Sequence, residues 1–259
     1  QIWSQFYRTE TIKQYLAGGR RTRQLIAMVA REQGLTPTNE GGWNTAMNLT
    51  MAIDGYAGLE HNFPATPQYR DVVELMVRSG MIQTHTLSVF GMSLFHRRWD
   101  PWAEPRLRRF LPPDAITYFR RPVYATGQVD LETLRQIAAQ PAKIVAAGGC
   151  VGLGSHGNLP GLGAHWEMWT LALGGMPPHD VLRVATRCSA DAIGHGADLG
   201  SIEPGKIADL QVLDQNPLEN IHHTASTRFV MKGGRLYDAS TLAEVWPGRR
   251  PPVRMWWHE

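Results

Sequence analysis

The sequence has few cysteines, few lysines and no long apolar run, and each shortage excludes something. Two cysteines in 259 residues, Cys150 and Cys188, make neither a disulfide framework nor a zinc knuckle. One bridge between them remains open, but Cys150 stands in an apolar strand-like run and Cys188 in an amphipathic helix, so both read as small buried residues. No stretch approaches the roughly 18 apolar residues of a membrane span. The start, QIWSQFYRTE, has neither a signal-peptide pattern nor an initiator Met, and it reads as a break inside a longer polypeptide. Only four residues are lysine against 22 arginines, so a lysine at a strand end suggests a need beyond mere positive charge. The net charge of +3 is mild. Basic residues gather only locally, as Arg20, Arg21 and Arg23 and as Arg97, Arg98, Arg106, Arg108 and Arg109, which reads as solvated helix faces. No nucleic-acid-binding motif accompanies them, and no nucleic-acid partner is expected. The 43% of hydrophobic residues suffices for a sizeable core and excludes global disorder.

What is present alternates. Short β-like runs are each followed by helical periodicity, the pattern of βαβ units and a parallel sheet. The runs are 11–16, 35–40, 58–62, 81–90 and 150–157. The spacing predicts helices over 20–34, 44–54, 67–80, 130–148, 163–174 and 178–193. In the first helix Leu25, Ile26, Met28 and Val29 share one side, and Gly34 supplies a C-terminal stop. Residues 91–127, rich in Pro, Arg and Trp, form a long irregular stretch of the kind that serves as a lid or partner surface. After residue 197 the character changes: 208–214 and 227–238 alternate apolar and polar residues, and Gly233-Gly234 reads as a hairpin turn.

Chemistry in parallel α/β folds sits at the carboxyl ends of the strands. Those ends carry, in order, Lys13, Glu40, His61, His85 and His156. One such residue alone would be unremarkable among ten histidines. Five at matching places in five successive units point to a metal or proton-transfer site. A lysine is no ligand as an ammonium, but carbamylated by carbon dioxide it presents a carboxylate. The plainer reading of Lys13 is a salt bridge or a substrate-binding cation. The glycine-rich stretch 148–157 fits neither a nucleophile elbow nor a dinucleotide fingerprint, because its glycines stand at the wrong places. His165 opens a predicted helix, where capping or packing explains it.

The run Gly200-Ser201-Ile202-Glu203-Pro204-Gly205-Lys206-Ile207-Ala208-Asp209-Leu210, with Val212-Leu213-Asp214, Asn216-Pro217-Leu218 and Val230-Met231-Lys232-Gly233-Gly234-Arg235, resembles the amidohydrolase superfamily. There it marks the return of the chain from a metal-binding (β/α)8 barrel into a small β-sandwich. Gly58-Leu59-Glu60-His61 resembles the strand-six motif with its metal-binding His. Thr11-Ile12-Lys13 resembles the strand-four lysine, carbamylated in some members. The phrases at 40–42, 54–62 and 154–169 are most similar to the subgroup whose barrel follows a TolB-like β-propeller. The resemblance departs at three places. No His-x-His pair stands upstream of Lys13, Glu40 occupies the place of a strand-five His, and His156 occupies that of the strand-eight Asp.

The resemblance implies an α/β chain carrying about strands 4–8 of a TIM barrel in residues 1–197, followed by a β-sandwich module in 198–259. It implies a divalent metal, zinc first, as one or two ions on Lys13, Glu40, His61 and His156. His156 is the candidate base, and His85 and His165 are candidate substrate contacts. The expected reaction is prolidase-like attack of metal-bound hydroxide on an amide or peptide-type C–N bond; the alternative is a degenerate barrel serving as a binding or scaffold module. Five βα units cannot close an eight-stranded barrel. An amino-terminal segment with strands 1–3, on this chain or a separate one, is therefore an expected partner, besides a small-molecule or peptide substrate. Oligomerisation is expected too, and the subgroup leans toward a periplasmic or secreted location.

Overall fold

A computed structural model describes residues 9–15, 18–42, 44–64, 66–90, 104–119, 129–156 and 159–258. Five parallel strands form one sheet in sequential order: β1 (Thr11–Gln14), β2 (Thr36–Glu40), β3 (Gly58–Glu60), β4 (Ile82–His85) and β5 (Val151–Leu153). The helices between them are α1 (Arg20–Glu32), α2 (Thr45–Ile53), α3 (Arg70–Ser79), α4 (Pro105–Phe110), α5 (Pro113–Phe119) and α6 (Leu131–Ala146). After β5 come α7 (Leu162–Leu173), α8 (Pro178–Arg183), a π-helical turn (Val184–Cys188) and α9 (Ser189–Ala192). The carboxy-terminal part is an antiparallel sheet of β6 (Leu210–Leu213), β7 (Thr227–Lys232), β8 (Arg235–Asp238) and β9 (Glu244–Trp246).

Local signals place these elements. Asn44 caps α2 by accepting from the Met47 N–H at 3.0 Å, and Asp130 caps α6 through Thr133 at 2.7 Å. Gly80 ends α3 in the left-handed region at φ 68°. Gly233 and Gly234, both at positive φ, turn β7 into β8 as the hairpin pattern predicts. Of the irregular stretch 91–127, much lies outside the described residues; α4 and α5 occupy its described middle. Arg106 of α4 donates to the carbonyls of Ala225 and Thr227, tying that stretch to the β module. The Trp257 indole N–H donates to the Arg109 carbonyl.

Register sorts the parallel sheet into two faces, since side chains alternate along a strand. Gln14, Asn39, Leu59, Gln83 and Val151 align across it and are buried beneath the helices. Met51, Met76, Ile144, Trp166 and Leu171 pack in the core on the helix side. The other face carries Lys13, Thr38, Gly58, Ile82 and, farther along, Glu40, Glu60, Thr84 and Gly152. It would line a barrel axis, and Thr38, Glu60, Ile82 and Thr84 are only partly buried there.

One expectation changes. Cys150 and Cys188 form a disulfide, with Cα atoms 5.5 Å apart; the strand start and the π-helical turn face each other, a proximity that the separate local contexts do not reveal. The apolar side of α1 does not face the core. Arg23, Ala27 and Ala30 are buried, whereas Leu25, Met28 and Val29 are 49%, 51% and 41% exposed. Among the described residues β1 is an edge strand, so α1 has a sheet neighbour on one side only. Ile12, Leu25, Ile26 and Val29 line an open groove of about 430 Å³ beside that edge.

Candidate functional site

At the carboxyl ends of β1, β2 and β3 three predicted residues meet. Lys13 and Glu40 project from the axis face of adjacent strands, and Lys13 Nζ lies 2.5 Å from Glu40 Oε2. The other carboxylate oxygen, Oε1, is 2.6 Å from His61 Nε2. Strand alternation alone would turn His61 to the helix face, because Glu60 precedes it on the axis face. His61 escapes that parity by adopting φ 71°, an uncommon conformation for a residue with a Cβ. Its N–H donates to the Thr84 carbonyl at 2.9 Å, and its own carbonyl accepts from Gln83 Nε2 at 2.8 Å. The ring's Nδ1 is 2.7 Å from Thr86 Oγ1, an arrangement that sets the ring's orientation and leaves Nε2 facing the cluster.

His156, after β5, also has a positive φ of 54°. Its ring centroid is 5.2 Å from that of His61, tilted by 50°. Two glycines let these strand ends approach. A Cβ on Gly41 would sit 2.5 Å from the Glu60 carbonyl oxygen, and one on Gly154 would sit 2.6 Å from that of His85. The loop after Gly41 is held by Asn48, which both donates to and accepts from the Gly42 backbone.

Electrostatics support an ionised Glu40. Burial pushes its carboxyl up, but Lys13 and His61 together outweigh that and hold it below the usual carboxylate range. Its side chain is 10% exposed and that of Lys13 is 49% exposed, so the cluster opens on the axis face.

The remaining predicted residues are elsewhere. His85 lies on the helix side of β4, fully buried, and among the described residues neither ring nitrogen has a hydrogen-bond partner; burial drives its pKa down to about 3. The structure does not bring it to the cluster, because strand parity turns it the other way. His165 bonds through Nδ1 to Thr224 Oγ1 at 3.1 Å. It lines a cavity of about 450 Å³ with Arg106, Phe110, Gln211 and Val230, between α4, α7 and the β module. Burial first, and Arg106 second, lower its pKa to about 4. Thr86, Gly41 and Asn48 escaped the sequence reading. Nothing local singles out Thr86, which follows Gln83, Thr84 and His85 in a strand end that is already polar.

The donor chemistry of Glu40 and His61, one carboxylate oxygen and one imidazole nitrogen on neighbouring strands, suits a borderline divalent metal. Lys13 joins such a set only as a carbamate. Among the described residues no three His, Cys, Asp or Glu side chains are grouped to hold an ion. Of the four residues expected as ligands, Glu40 and His61 stand as a pair, with Lys13 on one flank and His156 on the other.

Comparison with known proteins agrees with this architecture. The profile of the amidohydrolase family matches residues 128–237. No curated protein matches. Among solved structures, a Xaa-Pro dipeptidase with bound methionine in its active site superposes with a TM-score of 0.64 at 22% identity, over 88% of this chain and 54% of that one. The A. niger ochratoxinase gives 0.62 at 21%, over 88% and 51%. Phenylurea hydrolase B gives 0.61 at 18%, over 90% and 54%. The chain therefore has the fold of these hydrolases and spans about half the length of each.

Proposed function

We propose that this chain is the carboxy-terminal part of a metal-dependent, prolidase-like hydrolase of amide or peptide-type C–N bonds. The observation that carries the reading is the Lys13, Glu40 and His61 cluster on three successive strand ends of a hydrolase-type fold, with His156 beside it. Glu40 and His61 are the residues that would hold a divalent ion, with zinc the first candidate and a carbamylated Lys13 as a further ligand. Such an ion, when bound, polarises a scissile carbonyl and acidifies water. The chain's own groups do the rest. His156, whose ring lies beside that of His61, is the candidate imidazole to take a proton and return it to a leaving nitrogen. Lys13, left as an ammonium, neutralises Glu40 and offers a cation to a substrate carboxylate.

The partner is an amino-terminal segment carrying the other barrel strands. The edge of β1, unpaired among the described residues, and the exposed Leu25, Met28 and Val29 of α1 support this, since parallel sheets keep edges and faces covered. The phrases at 40–42, 54–62 and 154–169 favour a preceding TolB-like propeller. The Cys150–Cys188 disulfide supports a periplasmic or secreted location, where such bonds persist.

The test is metal analysis together with hydrolysis of Gly-Pro, Ala-Pro and Met-Pro by the chain carrying its amino-terminal segment. Stoichiometric zinc, manganese or iron with turnover that falls in Glu40→Gln and His156→Asn supports the reading. Metal-free protein without turnover sinks it and favours a binding module.

A further inference from the structure

The middle of α7 holds a buried acid that the proposed chemistry does not use. Glu167 is fully buried, among Trp166, Met168 and Leu171 in the core. A helix position that needed only packing would carry an apolar residue, because burying a carboxyl without a partner is costly. Burial pushes its pKa up to about 8, against the pull of the backbone N–H donors of Ser88 and Leu87.

Those donors say what the residue is for. Oε1 accepts the Leu87 N–H at 2.6 Å and Oε2 the Ser88 N–H at 2.8 Å. The two amides belong to the turn that leaves β4, closed by Val89 N–H to the Thr86 carbonyl and Phe90 N–H to the Leu87 carbonyl. Thr86 opens that turn, and its hydroxyl is the group 2.7 Å from His61 Nδ1. The Thr86 N–H is held in turn by Asn62 Oδ1 at 3.2 Å. The loop bearing His61 and the turn bearing Thr86 are thus locked together, and the turn is anchored from the core side by one carboxyl.

The geometry points to Glu167 as a positioning residue for His61: by clamping the amides of Leu87 and Ser88 it sets the Thr86 hydroxyl against Nδ1, and so aims Nε2 at Glu40. The assignment rests on the reading of Lys13, Glu40 and His61 as the site. It extends that site to α7, through two backbone amides and one hydroxyl. Outer partners of this kind hold a ring in one orientation, and their loss commonly costs 10- to 100-fold in affinity or rate.

The experiment uses the chain with its amino-terminal segment, labelled with ¹⁵N-imidazole histidine, in the variants Thr86→Val, Thr86→Ser, Glu167→Gln and Glu167→Asp. Gln offers an NH2 group to one of the two amides and breaks that half of the clamp. Asp keeps the carboxyl but retracts it by one carbon. Thr86→Val and Glu167→Gln are each expected to move the His61 ring resonances and to lower kcat for Ala-Pro by about 10- to 100-fold, with KM little changed. Thr86→Ser restores both readouts, and Glu167→Asp falls between. If Glu167→Gln does not fold, the Asp variant decides. Loss of thermal stability in the Glu167 variants with unmoved His61 resonances overturns the assignment. If the unsubstituted protein hydrolyses no dipeptide, the functional reading fails while the His61 resonances still decide the positioning role.

Discussion

Acidification should weaken this fold through His85, by an amount that follows from its burial. The ring is sealed on the helix side of β4 with neither nitrogen bonded among the described residues, and its pKa drops from an ordinary 6.5 to about 3. A histidine whose folded pKa is depressed takes up its proton in the unfolded chain first. Its contribution is therefore fully present above pH 6.5 and is lost as pH falls toward 3. At pH 5 the unfolded state gains about 2 kcal/mol from protonation that the folded state cannot match. His165, lowered to about 4, acts with the same sign and similar size. Glu167 acts with the opposite sign: its carboxyl keeps a proton in the fold while the unfolded chain loses it, so it costs stability as pH rises from 4.5 to about 8. The pH profile of the unsubstituted protein mixes all three, and a difference isolates the first. His85→Leu removes one titrating ring at nearly constant volume. Its packing cost is the same at both pH values, so its stability relative to the unsubstituted protein should improve by about 2 kcal/mol between pH 7.5 and pH 5. Urea unfolding followed by the fluorescence of the buried Trp166 and Trp169 measures it. An unchanged difference across that range would refute the argument and show that the ring is protonated or hydrated in the fold.

Other outcomes follow from the site and its supports. Glu40→Gln leaves Lys13 without its carboxylate and removes one candidate metal ligand; turnover of Ala-Pro should fall by about 100-fold or more, and bound metal should fall with it, measured by mass spectrometry on folded protein. Gly41→Ala puts a methyl group 2.5 Å from the Glu60 carbonyl oxygen, which forces β2 and β3 apart at the cluster; turnover should drop with only a modest change in melting temperature. Cys188→Ser opens a loop of 38 residues and should cost about 4 kcal/mol on the chain-entropy account, with reductant reproducing the loss in the parent protein. Met28→Asp on the exposed side of α1 should leave the helix intact by circular dichroism. It should also abolish co-purification with the amino-terminal segment, and unaltered co-purification would remove that side of α1 from the interface.

Much of this protein was legible in its sequence. Alternating strand and helix patterns, glycine stops and the Gly233-Gly234 hairpin are local signals, carried by residues a few positions apart, and the elements appear where those signals stand. The placing of Lys13, Glu40 and His61 at strand ends is equally local, since a parallel sheet brings successive carboxyl ends to one side. Tertiary structure decided the rest. The parity of β4 turns His85 away because the pleat is shared with β3 and β5, and no window on β4 alone tells which face is the axis. His61 joins the cluster only because a positive φ reverses its parity. Cys150 and Cys188 are bonded because two elements 38 residues apart in sequence pack together. Leu25, Met28 and Val29 are exposed because α1 turns Arg23, Ala27 and Ala30 to the sheet instead. Glu167 reads in sequence as one polar residue in an apolar helix; only the packing of α7 against the turn after β4 gives its carboxyl two amides to hold. Periodicity is written within each segment, whereas facing partners are set by where distant segments meet.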